Sequence, residues 1–586
     1  MKLAKFFIPL TAAFALVGCN SSSTLETTDT GSTESSGSAY LYTSQITIED
    51  VEDISVTEVT GEFAISGGDG SVSKNGSVFT LTSGGTYVLE GKLTGQVVVD
   101  AGSDDVVLEL NGVSITYGSD SPIKVLNAGS VDISAKKNTG NIITDSRNKK
   151  TTDNVDQGEG AISATCDLKM KGTGTLVVVG NYNNGIHTTK DLTIQKETLK
   201  VTAYNNAIKG KKSVTIESGT VHAYAKNGNG IKTDSSEVTS KGNQKGTVTI
   251  NGGFVYVDSL HDAIDSSYDV VVKQADPAVE TSILLKVGSK SSIVSGSFTK
   301  SSEKGIKAQN NIEINAGTIV ISASDDSIHA NYGETLENGL KGQGNITING
   351  GIIKIVSGDD GIHADNTLNI NDGVILITNA KEGLESHDIQ IKGGETYIYG
   401  SDDGVNAAKG DFNSCSFLMS GGYLDVSVSN GDTDGIDSNG SFTFSGGTII
   451  TRGSPGTGSG MSTGLDVDGT CTMTGGTLIA FNGLEVVPNT SSGVYYAGTS
   501  GANSGNGMGG GKKAYPSAST SSSYSFAAGE YVLSGTDVSI SFKNDYSYSK
   551  FCVYSSSIAS GATYTLSRGG SGVVSWTQSS KSVTIS

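Results

Sequence analysis

A small residue followed by a branched apolar residue recurs along this chain, set each time among charged or amide groups. Examples are "HDAID" (261–265), "DDSIH" (325–329), "DDGIH" (359–363), "KEGLE" (381–385), "DDGVN" (402–406) and "DTDGID" (432–437). Aligned on the small residue, Gly185 and Ala207, Gly305 and Ser327, and Gly361 and Gly383 are each 22 positions apart. Other intervals are longer by loop-sized insertions. Self-similarity at such a period describes repeated units that bury their apolar faces only by stacking on one another. A core of unrelated elements is excluded.

A second landmark runs in phase with the first. Small pairs such as Ser218-Gly219, Gly252-Gly253, Ala316-Gly317, Gly350-Gly351, Asp372-Gly373, Gly393-Gly394 and Gly446-Gly447 are preceded, four and two residues earlier, by apolar residues. Alternation continues beyond the pair, as in Ile319/Ile321 and Ile353/Ile355. Period two means short strands with one face inward. The expectation is an all-β chain, a parallel β-helix with β caps at both ends. A leucine-rich solenoid would need a repeated Asn/Leu frame and a helical arm, and neither is present.

Stacked strands lie roughly 4.8 Å apart, so equivalent residues form ladders. The apolar ladder runs through Ile186, Ile208, Ile231, Ile264, Ile306, Ile328, Ile362, Leu384, Val405, Ile436, Leu465 and Leu484. Two flanking columns are expected on the outside. The residue before each small anchor forms the first: Asn184, Asn206, Asn229, Asp262, Lys304, Asp326, Asp360, Glu382, Asp403, Asp434, Thr463 and Asn482. The residue after the apolar one forms the second: His187, Lys209, Lys232, Asp265, Lys307, His329, His363, Glu385, Asn406, Asp437, Asp466 and Glu485.

Carboxylates held at that spacing repel by about 3 kcal/mol per pair at an effective dielectric of ~20. Oxygen-rich ladders suit calcium, which takes six to eight oxygens in loose geometry. Rows acidic in both columns, Asp262/Asp265, Glu382/Glu385 and Asp434/Asp437, lead the expected metal set. Asp325/Asp326, Asp359/Asp360, Asp402/Asp403 and Asp466 complete it. The competing account of each Asp is turn chemistry. His329 and His363 stand among oxygen donors at scattered spacing, which favours calcium over a transition metal.

The net charge of −20 argues against nucleic acid or anionic lipid as a direct partner. Lys2, Lys5 and the apolar run from Phe6 to Val17 read as a signal peptide, residues 1–18. Leu16-Val17-Gly18-Cys19 has the form of a lipobox, so Cys19 is the expected lipidation site and the only membrane attachment. Residues 19–44 read as a flexible tether, 45–160 as an off-period β capping region, 161–497 as the repeats, 498–523 as a Gly/Ser-rich loop and 524–586 as a terminal β segment. Cys166, Cys415, Cys471 and Cys552 form no CxxC pair and read as buried small hydrophobes. A monomer exported to the bacterial membrane or cell surface is expected.

The segments "SGGTYVLEGKLTGQVVVDAGSDDVVLELNGVSIT" (83–116), "GTGTLVVVGNYNNGIHTTKDLTI" (172–194), "NNAIKGKKSVTIESGTVHAYAKNGNGIKTD" (205–234) and "YSKFCVYSSSIASGATYTLSRGG" (548–570) carry a resemblance. They are similar to the bacterial carbohydrate-binding domain family typified by a clostridial cellulose- and pectin-binding surface protein. That likeness implies a right-handed parallel β-helix with bound calcium, similar to family 9 polysaccharide lyases, and binding of polysaccharide. The lyases' Asp-Asp-x-x-Asp calcium pattern is incomplete in every turn of this chain. Lys304 and Lys307 are weak candidates for a catalytic base. Sugar contact needs aromatic platforms, for which Tyr182, Tyr204, Tyr224 and Tyr256 are the candidates. The expected function is calcium-dependent, non-catalytic binding of an acidic glycan such as pectin, or of cellulose. The alternatives are a pectate-lyase-like enzyme and a structural or adhesive surface rod.

Overall fold

The computed structural model describes residues 51–68, 71–151, 157–288, 302–431, 433–455, 462–490, 493–499 and 524–585. The signal peptide, Cys19, the tether and nearly all of the loop at 498–523 lie outside the described residues.

Among the described residues there are 54 strands and no helix. One sheet joins 48 of the strands; a two-stranded hairpin and a four-stranded antiparallel sheet stand apart, and none is closed. In most of the chain a strand pairs in parallel with the strand three places on. Asn184–Thr188 pairs with Ile208–Gly210, Asp191–Gln195 with Ser213–Ile216, and Glu197–Ala203 with Gly219–Ala225. Register is kept in step. Ile186, Ile208, Ile231, Ile264, Ile306, Ile328 and Ile362 are successive partners, then Leu384, Val405, Ile436, Leu465 and Leu484. This is the apolar ladder expected from sequence, and all of it is buried in one continuous core. The free cysteines Cys166, Cys415, Cys471 and Cys552 are buried too.

The small pairs mark bends. Their second residues, Gly219, Gly253, Gly317, Gly351, Gly373, Gly394, Gly422, Gly447 and Gly476, all have φ between +74° and +114°. An L-residue rarely adopts that backbone, which is why glycine recurs where each repeat turns. The anchor glycines answer a different need. A Cβ on Gly383 would lie 2.2 Å from Ile398 Cγ2 and 2.6 Å from the Gly404 carbonyl.

Parallel pairing does not begin near residue 160. Val78–Leu81, Gln96–Asp100, Ile123–Asn127 and Gly160–Ala164 pair in parallel in that order, so stacking extends into 45–160, although the register partners Val97, Ile123 and Ile162 are 26 and 39 positions apart and off the period of the later repeats. Val106–Tyr117 runs unbroken through a bend at Gly112, whose φ is +74°, and pairs with Ser130–Ala135 before it and Gly140–Asp145 after it. Val270 and Val272 occupy the second apolar column without a glycine pair behind them.

At the other end Gly529–Gly535, Val538–Asn544, Thr563–Arg568 and Ser571–Thr577 form the antiparallel sheet, with Trp576 packed in a second core. Arg452 is fully buried where this sheet meets the large one. Its guanidinium pairs with Asp425 and donates to Asn544 Oδ1 at 2.7 Å and to the Lys543 carbonyl at 2.7 Å.

Candidate functional site

The first polar column is not outside. Asn184, Asn206, Asp262, Asp326, Asp360 and Glu382 are all buried, against expectation. The reason is backbone hydrogen bonding at the bend before each short strand. In this column the Asp side chains accept the N–H of the equivalent residue one repeat on: Asp262 Oδ1 from Lys304 (2.9 Å), Asp326 Oδ1 from Asp360 (3.1 Å), Asp360 Oδ1 from Glu382 (3.2 Å) and Asp403 Oδ1 from Asp434 (2.7 Å). Asn206 does the same for Asn229 at 3.1 Å. A buried N–H without an acceptor is costly, so Asp or Asn here is structural before it is anything else.

The second column is half-buried over most of its length, and its register is as expected. Register also decides which carboxylates already have a cation. Asp265 sits between Lys232 and Lys307 on adjacent strands. Lys232 pairs with Asp265, and Lys307 Nζ lies 3.6 Å from Asp262 Oδ2. The Asp262/Asp265 row, expected to lead the metal set, is therefore neutralised by lysine. Lys304 Nζ likewise sits on Asp325 Oδ1 (3.0 Å) and Asp326 Oδ2 (2.5 Å). Burial opposes its charge, but those carboxylates outweigh it and raise the ammonium to about 12. An amine held protonated so firmly is a poor base.

Further along, carboxylates meet one another instead. Burial, then the charges of neighbouring acids, raise Asp359 to about 6, Glu382 to about 7, Asp403 to about 7 and Asp434 to about 8. Among the described residues no Lys or Arg pairs with Asp403 or Asp434. Asp402 lies half-buried beside Asp403, and Asp437 and Asp466 are register partners on the next strands. Asn406 donates to Glu382 Oε2 at 3.1 Å, while its own Oδ1 is buried without a donor. This orphaned acceptor among crowded carboxylates fits a hard cation that takes oxygen ligands.

Between these regions two imidazoles stack. The His329 and His363 rings are 4.5 Å apart and 20° from parallel, because His329 and His363 are register partners on Ile328–Ala330 and Ile362–Ile370. His329 Nδ1 contacts Asp326 Oδ2 at 2.6 Å, and its Nε2 contacts Asp365 Oδ1 at 3.1 Å. His363 Nδ1 lies 3.2 Å from Asp360 Oδ2 and 3.3 Å from Glu385 Oε2, with its Nε2 3.3 Å from Asp365 Oδ1. Burial opposes the charge of His329, but its bonds to Asp326 and Asp365 hold it up at about 9. Asp326 is held well below the usual carboxylate range: burial works against this, and His329 and Lys304 overcome it. Burial and the hydrogen-bonded Asp360 push Glu385 to about 10. Sequence reading passed over Asp365; its place two residues beyond His363, on the same strand face, is the signal that would have found it.

A separate cleft of about 610 Å³ opens near residues 150–209, lined by Lys150, Glu159, Asn183, His187, Tyr204 and Asn205, among others. Lys150 Nζ bonds Glu159 Oε1 at 2.9 Å, and Asn205 donates to Asn183 Oδ1 at 3.0 Å. Burial lowers His187 to about 4, leaving a neutral ring whose Nδ1 has no partner. Of the tyrosines expected as platforms, Tyr204 lines this cleft, half-buried, with Lys149 Nζ 5.9 Å from its ring. Tyr182 is 7% exposed beneath the Arg147 guanidinium at 3.9 Å, and Tyr256 is 3% exposed against His222 and Tyr224. Neither offers an open face, which corrects both. Tyr224 is half-buried with Lys200 over its ring at 5.5 Å.

Comparison with known proteins agrees with the resemblance in the sequence. A carbohydrate-binding domain-containing protein of Acetivibrio thermocellus is 38% identical over 202 residues, 34% of this chain and 69% of that protein. A solved structure, described as the gadolinium derivative of a polysaccharide lyase-like protein from C. thermocellum, is 34% identical and covers 37% of this chain and 86% of that one, at a TM-score of 0.33. Residues 75–339 and 333–550 match the family described as carbohydrate-binding domain-containing protein, and the chain belongs to that family.

Proposed function

We propose that the protein is a calcium-dependent, non-catalytic binder of polysaccharide at a bacterial surface. It is exported by residues 1–18 and held to the membrane by lipid on Cys19. Its strands wind as a right-handed parallel β-helix, the path that the three-place parallel pairing supports. A polysaccharide is the partner, with no nucleic acid and no second subunit required.

One observation carries the binding reading: the cleft at 150–209 combines a single accessible aromatic ring, Tyr204, with amides and an ion pair. Sugars present apolar ring faces rimmed by hydroxyls, and such a mixture of one ring and fixed planar donors and acceptors matches them. Family membership supports the same reading. Calcium has its best support at Glu382, Asp402, Asp403, Asn406, Asp434, Asp437 and Asp466, where acids crowd and Asn406 Oδ1 lacks a donor. These residues would hold the ion, whose charge would offset their repulsion and attract a glycan carboxylate. The firmly protonated Lys304 supports a non-catalytic role.

The test is a pull-down of the protein on polygalacturonate and on cellulose, with and without calcium, while ultraviolet absorbance is followed for unsaturated products. Binding that disappears with chelator and yields no product supports the proposal. Product formation would replace it with a lyase, and absence of binding to any glycan would replace it with a surface rod.

A further inference from the structure

We propose that His329 and His363, through their Nδ1 atoms, bind one zinc-type divalent ion together with Asp326 and Asp360, at a site separate from the oxygen-only calcium region. Asp326, His329 and His363 each offer a ligand atom, all within 4.8 Å of one another, and Asp360 forms a second such group with His363 and Glu385. Bonds of about 2.0–2.1 Å place tetrahedral ligands ~3.3 Å apart. The observed His329 Nδ1 to Asp326 (2.6 Å), His363 Nδ1 to Asp360 (3.2 Å) and His363 Nδ1 to Asp326 (4.0 Å) distances bracket that spacing. Only a proton separates His329 from Asp326, and the ion takes its place.

Asp365 is the independent observation. Its Oδ1 lies 3.1 Å and 3.3 Å from the two Nε2 atoms, and its Oδ2 is fixed by the Tyr332 N–H at 2.8 Å. A carboxylate that accepts the N–H remote from the metal is how a ligating imidazole is oriented and its tautomer fixed. Here one carboxylate serves both rings and leaves both Nδ1 atoms facing the acids. Imidazole nitrogen selects zinc, nickel or copper over calcium. Charge allows it, because Asp326, Asp360, Asp365 and Glu385 contact the two rings, while Lys304 pairs with Asp326. A cleft of about 250 Å³ lined by His363, Asp365, Glu385 and Phe412 gives the ion a way in. Two stacked repeats would then be pinned across His329 and His363.

The full chain, solubilised in detergent and stripped with chelator, is titrated with Zn²⁺ in excess calcium, which fills the oxygen-only sites. Parallel samples receive Co²⁺ for its visible ligand-field spectrum. One equivalent of Zn²⁺ is expected to bind, with a Co²⁺ band from nitrogen ligation. His363→Gln should abolish both, and Asp365→Asn should weaken Zn²⁺ binding about 10–100-fold. Zn²⁺ binding unchanged in a folded His363→Gln protein overturns the proposal. So does a wild-type protein with no Co²⁺ band, a result independent of whether either variant folds.

Discussion

Glu197 is fully buried, and neither of its carboxyl oxygens has a partner. Burial raises it well above its ordinary value of 4.5, so the folded protein keeps it protonated. The stability it permits is complete below 4.5 and falls as pH rises toward the folded-state value, because only the unfolded chain then releases the proton freely. Glu197→Gln is expected to match the parent in acid and to melt higher at neutral and alkaline pH; thermal melts across pH measure it. At Gly373 the constraint is backbone: φ is +107°, and a Cβ would sit 3.0 Å from the Gly351 carbonyl. Gly373→Ala should cost about 1–3 kcal/mol in denaturant unfolding.

Where the bend before a motif strand holds Asp, it carries both a hydrogen bond and a charge, and substitution separates them. Asp403→Asn keeps an oxygen for the Asp434 N–H but removes one of the crowded charges. It should fold with stability unchanged or raised, yet lose the calcium-dependent rise in melting temperature. Asp403→Ala should in addition lose about 1–3 kcal/mol from the unmet N–H. Between the two sheets Arg452 acts as a single clamp, bonding to Asp425 on Tyr423–Val428 and to Asn544 and Lys543 on Val538–Asn544. Arg452→Ala leaves Asp425 buried and unpaired, at a cost of about 3–5 kcal/mol. Faster proteolytic cleavage within residues 524–585 is the expected readout.

Over the whole molecule the cleft proposed for sugar and the acidic ladder are distinct in sequence, so their effects should separate. Tyr204→Ala should weaken polysaccharide binding up to about tenfold, as loss of one stacked ring implies, without changing the calcium effect on melting; affinity electrophoresis alongside thermal melts checks both. Repeat register was legible in the sequence because the apolar residue of each motif must face inward, and a slip of one residue would turn it out. That fixed the ladder from Ile186 to Leu484 and the order of both polar columns. The N-terminal repeats were not legible, because their register partners Val97, Ile123 and Ile162 are 26 and 39 positions apart and Val106–Tyr117 runs unbroken through its bend at Gly112. Nor could column order say that the acids before each anchor turn inward to accept backbone N–H groups. The sequence by itself determined which residues are neighbours along the stack, since periodicity and burial leave one register. Only tertiary structure decided which of those neighbours are already partnered. Lys232 and Lys307 quench Asp265 and Asp262, Arg147 covers Tyr182, and Asp365 gathers two imidazoles, because such contacts depend on side-chain reach across strands that periodicity does not encode.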